Sequence, residues 1–448
     1  MKSKIYILLT LAAAFIVAAS YGGNYVFSPS TVLSSGKWVK VETADAGIYE
    51  LSYARLTQMG FPDPEKVSVY GSGGVQLSDA LVSGGKNAFA DDLRQVPVIH
   101  RNNKLYFYAR GLREPKLGAD GFSGNSLNIY SNVGHYFLTD GGTPRSLEAQ
   151  GDVTDLKQNA ADRSTGYDWR IREADNMHGL DNCGNEFWDC VLSSGKSLSW
   201  NLPVSYMADR SVCSTLSRIV LIRNAAGASY TVSLNVGNNS HRDTFRDSSD
   251  KEEKGLAREI RTSSFTLTKS SDIRIGASVS SANTDLYFDW TLLTYTKNLG
   301  KAGSEMVQER LGLQPSGQTG GNGYVSIPAG ALVLDVTDPH NPVLLPGEGY
   351  KAYFRESESQ RILFAFNPAR TQLQPQNPVN VPNQDLHALQ QRQYDFLIVA
   401  VPEMLEYAER IAQLHRDHDK INVAVATTEQ IYNEFSSGTP DPVAVRMM

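Results

Sequence analysis

The chain has 448 residues, and at roughly 150 residues per domain this length predicts about three domains. Its 42 Lys and Arg residues against 48 Asp and Glu residues give a formal net charge of −6, which excludes the basic face of a nucleic-acid-binding protein. With 41% hydrophobic and 20% charged residues, each domain can bury a core, so a wholly disordered chain is excluded as well.

Residues 1–20 have the features of an export signal. Lys2 and Lys4 precede an apolar run that ends at Ala19, and small residues lie around Ser20, where we expect signal peptidase to cut. A membrane anchor is the alternative, but the run is short for the roughly 20 residues of a spanning helix. The mature protein is therefore expected to be exported and to be soluble or peripheral.

Residues 21–165 are predicted to form a β-rich domain, because short apolar runs alternate with Gly, Pro and Asn. The predicted strands lie at residues 38–42, 47–51, 67–70, 96–99 and 105–108. One short helix is predicted from Ser52 to Met59, where Gly60 ends it.

Residues 166–367 are predicted to form an antiparallel β-sandwich. Apolar residues recur at every second position in residues 230–236, 273–279 and 286–292, with polar residues between most of them. This period places one strand face in a core and the other in solvent. Residues 368–390, rich in Pro, Gln and Asn up to Gln384, are predicted to be a linker.

Residues 391–448 are predicted to be the incomplete start of an α/β domain. The continuous apolar run from Phe396 predicts a parallel strand covered on both faces, and Thr427 with Gln430 predicts a capping box. The predicted elements are strands at 396–401 and 421–425 and helices that begin near Pro402, Thr427 and Asp441. Two strands are too few for such a sheet, so the strand edges are expected to be unpaired at Met448.

Three cysteines, Cys183, Cys190 and Cys213, are the only thiols in the sequence. Export would permit a Cys183–Cys190 disulfide, but we favour small buried free thiols. The odd number and the absence of a C-x-x-C motif do not match a zinc site. His178 lies five residues before Cys183, yet a loop His beside a structural Cys is favoured over a catalytic pair.

Other short motifs favour structural roles. His415 and His418 have the spacing of two metal ligands on one helical face, but a third ligand is not evident, and His415-Arg-Asp lacks the other kinase motifs. The run from Gly71 to Gly74 predicts a tight turn, because no helix follows to bind a phosphate. Asn238 begins a glycosylation sequon of little weight. We therefore assign no catalytic, cofactor-binding or metal-binding residue and expect no cofactor.

A series of short segments carries a family resemblance. In the last part of the chain the segments are residues 394–400, 408–410 and 429–442. Earlier in the chain they are residues 38–41, 47–51, 69–74, 91–93, 96–98, 128–132, 287–290 and 335–343. Each segment is short, but in this order they resemble gingipain-type cysteine peptidases of the PorU-like branch, the sortases of the type IX secretion system. The resemblance covers nearly the whole mature chain.

This resemblance implies a sortase associated with the outer membrane. Such a protein removes C-terminal sorting domains from secreted cargo and attaches the cargo to an anionic lipopolysaccharide at the cell surface. It works beside an outer-membrane β-barrel and other attachment-complex proteins. Its catalytic domain is a caspase-like α/β fold in which a His generates the thiolate of a Cys nucleophile.

Neither of these two catalytic residues can be carried over to this chain. In the family both lie on later strands, beyond the position of Met448, and residues 391–448 contain no Cys. We therefore expect the N-terminal portion of a sortase, inactive in this chain. The alternative is a non-catalytic, exported β-rich module that binds an outer-membrane partner or a glycan.

Overall fold

The computed structural model describes residues 27–78, 82–83, 86–87, 90–118, 121–174, 177–178, 187–221, 229–246, 256–262, 264–280, 285–301, 303–317 and 320–448. The predicted export signal at residues 1–20 lies outside these ranges. Within them, no helix has the length and apolar character that crossing a membrane requires.

The chain divides into two compact units, and each is built from separate stretches of sequence. Unit 1 comprises Met1–Arg113, Tyr130–Ser146 and Gln374–Met448, and unit 2 comprises Glu114–Ile129 and Leu147–Leu373. Each unit therefore combines residues from more than one of the segments expected from the sequence.

The strands and helices of the described residues follow in chain order. Before residue 147 the strands are β1 (Trp38–Thr43), β2 (Gly47–Ser52), β3 (Ser68–Tyr70), β4 (Val82–Ser83), β5 (Lys86–Asn87), β6 (Gln95–Val96), β7 (Val98–Arg101), β8 (Lys104–Ala109), β9 (Arg113–Gly118), β10 (Gly121–Leu127) and β11 (Gly134–Thr139). From there to residue 373 they are β12 (Ala161–Asp162), β13 (Thr165–Glu173), β14 (Met177–His178), β15 (Phe187–Trp188), β16 (Cys190–Ser193), β17 (Ser197–Pro203), β18 (Arg210–Leu221), β19 (Ser229–Val236), β20 (Asn239–Arg246), β21 (Leu256–Arg261), β22 (Phe265–Thr268), β23 (Asp272–Ser280), β24 (Asp285–Asn298), β25 (Gln308–Leu313), β26 (Asn322–Ser326), β27 (Leu332–Asp335), β28 (Val343–Leu344), β29 (Gly347–Glu348), β30 (Lys351–Arg355) and β31 (Arg361–Phe366). The last strands are β32 (Gln376–Val381), β33 (Phe396–Ala400) and β34 (Val423–Thr427). The α-helices are α1 (Tyr53–Gln58), α2 (Val153–Leu156), α3 (Leu405–Leu414), α4 (Thr428–Phe435) and α5 (Pro442–Met447).

Unit 1 contains a five-stranded sheet with the order β32-β1-β11-β3-β6 and a three-stranded sheet with the order β2-β8-β7. The strands of both sheets pair antiparallel, and a core of apolar side chains, which includes Leu33, Trp38 and Phe137, lies against the first sheet. Residues 376–381 of the expected linker form β32, which pairs with β1 so that Val381 faces Trp38. This stretch is therefore an ordered sheet edge.

Unit 2 has the predicted antiparallel sandwich. A ten-stranded sheet has the main order β21-β18-β24-β13-β25-β31-β27-β28, and a four-stranded sheet has the order β17-β23-β19-β20. Tyr230, Val232 and Leu234 of the smaller sheet are buried in one core with Ile219 and Phe288 of the larger. The alternation of apolar and polar residues thus produces the face-to-face packing expected of a sandwich.

Residues 391–448 contain the predicted parallel strand pair, with β33 beside β34. Thr427 and Gln430 form the predicted capping box at the start of α4, and the side chain of Asp441 caps α5. One prediction was wrong. The side chains of Phe396 and Leu397, which point to opposite faces of β33, are each 41% exposed, so neither face of this strand is fully covered.

Candidate functional site

The sequence supplies few nucleophile candidates, and the structure places two of the three cysteines. Cys183, and with it the Cys183–Cys190 pair and the His178–Cys183 pair, lies outside the described residues. Cys190 and Cys213 are free thiols. Burial, assisted by the nearby Asp189, raises the pKa of Cys190 to about 11. Burial also raises the pKa of Cys213. Neither described thiol is therefore a thiolate at neutral pH.

His415 and His418 lie in a π-helical turn, His415–Asp419, that follows α3. The Nδ1 atoms of both rings point at one carboxylate, 2.5 Å from Asp419 Oδ2 for His415 and 2.7 Å from Asp419 Oδ1 for His418. Hydrogen bonds from His418 and His415 lower the pKa of Asp419. The arrangement is an exposed helix end in which the two rings share a carboxylate.

The turn at Gly71 lies against the loop that follows α4. Gly71 has a φ of +132°, and a Cβ atom at this position would lie 2.6 Å from Ser437 Oγ. The backbone N–H of Ser72 donates to Ser437 Oγ at 3.0 Å, and Ser437 Oγ donates to the carbonyl of His135 at 3.0 Å. The glycine therefore permits a close approach between this turn and residues 436–438.

A buried cluster that the sequence did not predict lies around His387. The Nδ1 atom of His387 is 2.7 Å from Glu434 Oε2, and its Nε2 atom is 3.0 Å from the carbonyl oxygen of Asp91. The backbone N–H of Leu386 donates to both oxygens of Glu434, at 2.8 and 3.1 Å. His387 lies in the stretch expected to be a linker and Glu434 is 47 residues later, so no local pattern connects them.

Asp385, His387 and Glu434 are residue types that hold metal ions, but their geometry does not fit one. Two ligands at about 2.0–2.1 Å from a tetrahedral Zn²⁺ are more than about 3 Å apart. The 2.7 Å between His387 Nδ1 and Glu434 Oε2 is shorter than that. The oxygens of Asp385 also accept hydrogen bonds from Ser30 and from the backbone of Thr31. The cluster is therefore a hydrogen-bonded one.

An exposed apolar surface covers β33 and α3. Its residues are each at least one third exposed, and we call them the β33–α3 surface: Phe396, Leu397, Val399, Val401, Met404, Leu405, Tyr407, Ile411 and Leu414. In α3, Ala408 and Ala412 are the buried residues. The helix thus contacts the strands through two small side chains and turns its large ones to solvent. Large apolar side chains exposed in this number on neighbouring elements are typical of interaction surfaces.

Unit 2 contains a polar groove of about 670 Å³ over the neighbouring strands β13, β24 and β18. Its hydroxyl side chains include Thr165, Ser214, Thr294 and Thr296, and Arg163 and Arg261 also line it. Arg163 pairs with Glu356 at 2.7 Å, whereas Arg261 donates to the carbonyl of Phe122 at 2.6 Å. Among the described residues that line the groove, none carries a carboxylate. The volume lies in the range of ligand pockets, and the lining suits a hydroxylated ligand.

A family model and a solved structure match this chain over defined parts of its length. The family model of Peptidase family C25 matches residues 389–448. The crystal structure of dimeric latent PorU from Porphyromonas gingivalis matches with a TM-score of 0.80 and 23% identity, and the match covers 94% of this chain. The match covers 40% of the PorU chain, so this chain spans about two fifths of that protein.

No curated protein matches the sequence, and some solved structures match it with low TM-scores. A CBM36 domain of a xylanase from the hindgut metagenome of Trinervitermes trinervoides has a TM-score of 0.20 and 17% identity, over 28% of this chain and 96% of that one. A score this low carries no argument about fold. The chain therefore has the fold of the N-terminal part of a PorU-like protein, and its residues 389–448 match Peptidase family C25.

Proposed function

We propose that this chain is the N-terminal part of a type IX secretion sortase, exported and peripheral at the outer membrane or cell surface. One combined observation carries the proposal. A match to Peptidase family C25 lies at residues 389–448 of a chain that has the PorU fold over 94% of its length. The family is a family of peptidases, and its matching residues follow the β-rich part of the chain.

We also propose that this chain does not cleave peptides by itself. The two described cysteines have raised pKa values, and the residues matched to Peptidase family C25 contain no Cys. In the complete sortase the nucleophile and its base would come from later strands of the C25 domain. The proposed partners are secreted cargo, an outer-membrane β-barrel and attachment-complex proteins, with no nucleic acid.

Hydrolysis by the purified chain tests this proposal. The substrate is a fluorogenic peptide that spans the junction between a cargo protein and its C-terminal sorting domain, and PorU from Porphyromonas gingivalis serves as the positive control. We expect no hydrolysis above the buffer rate. Hydrolysis that disappears when Cys183, Cys190 or Cys213 is changed to Ser would contradict the proposed inactivity. A supporting result is cleavage that appears only when the later part of a C25 domain is added.

The groove in unit 2 supports a second candidate function, a module that binds a glycan. Hydroxyl, amide and guanidinium groups line it, and the backbone groups of the underlying strands are already paired in the sheet. A ligand would therefore be bound by side chains. Titration with a panel of oligosaccharides by calorimetry tests this function, with Arg261→Gln as the groove variant and Arg242→Gln, an exposed residue of β20, as the control. Binding that is equal in both variants excludes the groove.

A further inference from the structure

The hydrogen bonds of His387 fix where its protons are. The Nε2 atom is 3.0 Å from the backbone carbonyl oxygen of Asp91, and a carbonyl oxygen only accepts, so Nε2 carries a hydrogen. A neutral ring would then present the lone pair of Nδ1 to Glu434 Oε2, 2.7 Å away. Two acceptors repel each other at that distance. A second proton must therefore lie between Nδ1 and Oε2, where it forms a short charge-assisted hydrogen bond.

The charges around His387 favour this second proton. Glu434 of α4 is buried beside it, Asp91 and Asp92 face it from the loop before β6, and Asp385 lies on its own segment. The ring also stacks on Phe435 with 4.7 Å between the ring centroids. Burial alone lowers the pKa of His387. The hydrogen bond and charge of Glu434, with the charges of Asp92 and Asp91, outweigh burial and hold this pKa above its usual value.

The cluster joins four segments of unit 1 that are far apart in sequence. Glu434 comes from α4 and His387 from the segment after β32, while Asp91 comes from the loop before β6. The same loop holds the first described residues, because the hydroxyl of Thr31 donates to Asp92 at 2.7 Å and the backbone N–H of Ser28 donates to Asp91. His387 is therefore one buried link between α4 and the N-terminal part of unit 1, and the ion pair of Lys40 with Glu429 is another.

We propose that His387 and Glu434 share a proton that acts as a pH-sensitive latch between α4 and the N-terminal part of unit 1. Loss of this proton leaves two acceptors facing each other in a buried site, so the latch opens. This inference concerns the described residues of unit 1 and holds whether or not the chain is part of a sortase.

The sign of the pH dependence follows from the raised pKa of His387. A group that binds its proton more tightly in the folded state stabilises that state fully below its unfolded value, near 6.5. This contribution is lost as the pH rises through the higher folded-state pKa. The latch is therefore closed below about pH 6.5 and opens as the pH rises through the folded-state pKa, which lies above that value.

Hydrogen exchange in the purified chain tests the latch. Protection of residues 384–391 and 428–435, corrected for the intrinsic exchange rate, is measured from pH 6 to pH 9. We expect protection to fall by more than about threefold over this range in the unmodified chain, because the proton that the folded state holds between the two side chains is lost. In His387→Gln and in Glu434→Gln the fall should be less than about threefold, because no proton is shared.

His100→Gln is the matched control, because His100 is a partly buried histidine of the same unit whose pKa is lowered by burial. Its pH profile should equal that of the unmodified chain. Parallel profiles for the unmodified chain and His387→Gln would overturn the proposal.

Nitrogen NMR of the unmodified chain gives an answer even when a variant does not fold. Both ring nitrogens of His387 should carry protons at pH 6, and a neutral ring at that pH contradicts the latch. Added Zn²⁺ supplies a further check. If Zn²⁺ increases protection in the unmodified chain but not in His387→Gln, the pair binds a metal and the proposal is wrong.

Discussion

Asp168 is the centre of a buried charge network in unit 2. Its carboxylate accepts hydrogen bonds from Arg310 at 2.6 and 2.8 Å, from Arg170 at 3.0 Å and from the hydroxyl of Tyr295 at 3.0 Å. The ammonium of Lys297, itself 1% exposed, is 3.4 Å away. Burial alone raises the pKa of Asp168, but Arg310, Lys297 and Arg170 together hold it far below its usual value. The network is therefore charged at any pH near neutral.

Asp168→Asn should destabilise unit 2 strongly. The substitution leaves the cations of Arg310 and Lys297 facing a neutral amide, and Glu309, 2.9 Å from Lys297 Nζ, compensates only in part. Breaking a buried ion pair from one side costs about 3–5 kcal/mol. Urea denaturation measures the free energy of unfolding. Asp209→Asn is the control, because Asp209 pairs with Lys269 in solvent and should change it by less than about 1 kcal/mol. Equal effects of both substitutions would contradict the account of the network.

Neither this network nor the His387 cluster could be predicted from the sequence. Lys297 and Arg310 are 129 and 142 residues from Asp168. Strand pairing brings these residues together, and the local spacing of charges in the sequence does not indicate which strands pair. The free thiols of Cys190 and Cys213 could be predicted, because that prediction required only the absence of a metal-binding or redox motif.

Single elements could be predicted where local chemistry determines them. The capping box at Thr427 and Gln430 requires residues three apart, and the period-two pattern of β19 requires only that one face is buried. Short apolar runs between Gly, Pro and Asn predicted β1, β2, β3 and β8, whereas the strand predicted at residues 96–99 is divided between β6 and β7. The helix predicted at residues 52–59 is α1, with Ser52 as its N-cap.

Two strands could not be predicted correctly, for different reasons. In β32 five of the six side chains are exposed, so the strand is held by its backbone pairing with β1 and its side chains show no apolar pattern. In β33 the apolar run forms the predicted strand, but its exposure depends on which other elements pack against its two faces. The apolar residues alone do not specify that.

Thr427→Ala should weaken α4 without changing the fold. The hydroxyl of Thr427 accepts from the backbone N–H of Gln430 at 3.1 Å, and the substitution leaves that N–H without this partner. Loss of such a cap costs about 1 kcal/mol. Hydrogen exchange of residues 428–435 should therefore become about fivefold faster. Thr428→Ala, one residue into the helix, keeps the cap and should leave the exchange unchanged or slower; similar acceleration by both would disprove the capping role.

Gly71→Ala should separate the turn at residues 71–74 from the loop after α4. The new methyl group would lie 2.6 Å from Ser437 Oγ and 3.2 Å from the carbonyl oxygen of His135, at a φ that side chains rarely adopt. Overpacking of this kind costs about 1–3 kcal/mol. Gly142→Ala has a similar φ of +151° but meets no atom within 4 Å, so it measures backbone strain alone. The difference between the two variants in denaturant unfolding should be at least about 1 kcal/mol, and no difference would mean that the close approach is not required.

At the scale of the whole molecule, the β33–α3 surface should make the purified chain associate with itself or with other apolar surfaces. Replacing Leu397 and Ile411 together by Ser should reduce association measured by light scattering at micromolar concentration, because both are more than 40% exposed. Val212→Ser is the control, since Val212 is 52% exposed but lies in unit 2. Association that does not change in the double variant would show that this surface is not the contact.

The division into two units was not apparent from the sequence. Composition and period change along the chain in the order β-rich domain, sandwich, linker and α/β segment. The compact units instead depend on which distant strands pair, and the pairing of β1 with β32 assigns the first and last parts of the described chain to one unit. The family resemblance predicted the fold correctly, because its short segments occur in the same order along nearly the whole chain.

The pairing of β1 with β32 also determines which of the two units can fold first. Val381, the pairing partner of Trp38, is synthesised more than 300 residues after it. The last residue of unit 2, Leu373, is synthesised before Val381. During synthesis the sandwich can fold first, while one edge of β1 has no partner strand. Unpaired strand edges are sites of pairing and aggregation with other chains. A chaperone that shields nascent strands should therefore be needed early and become dispensable once residue 381 has arrived.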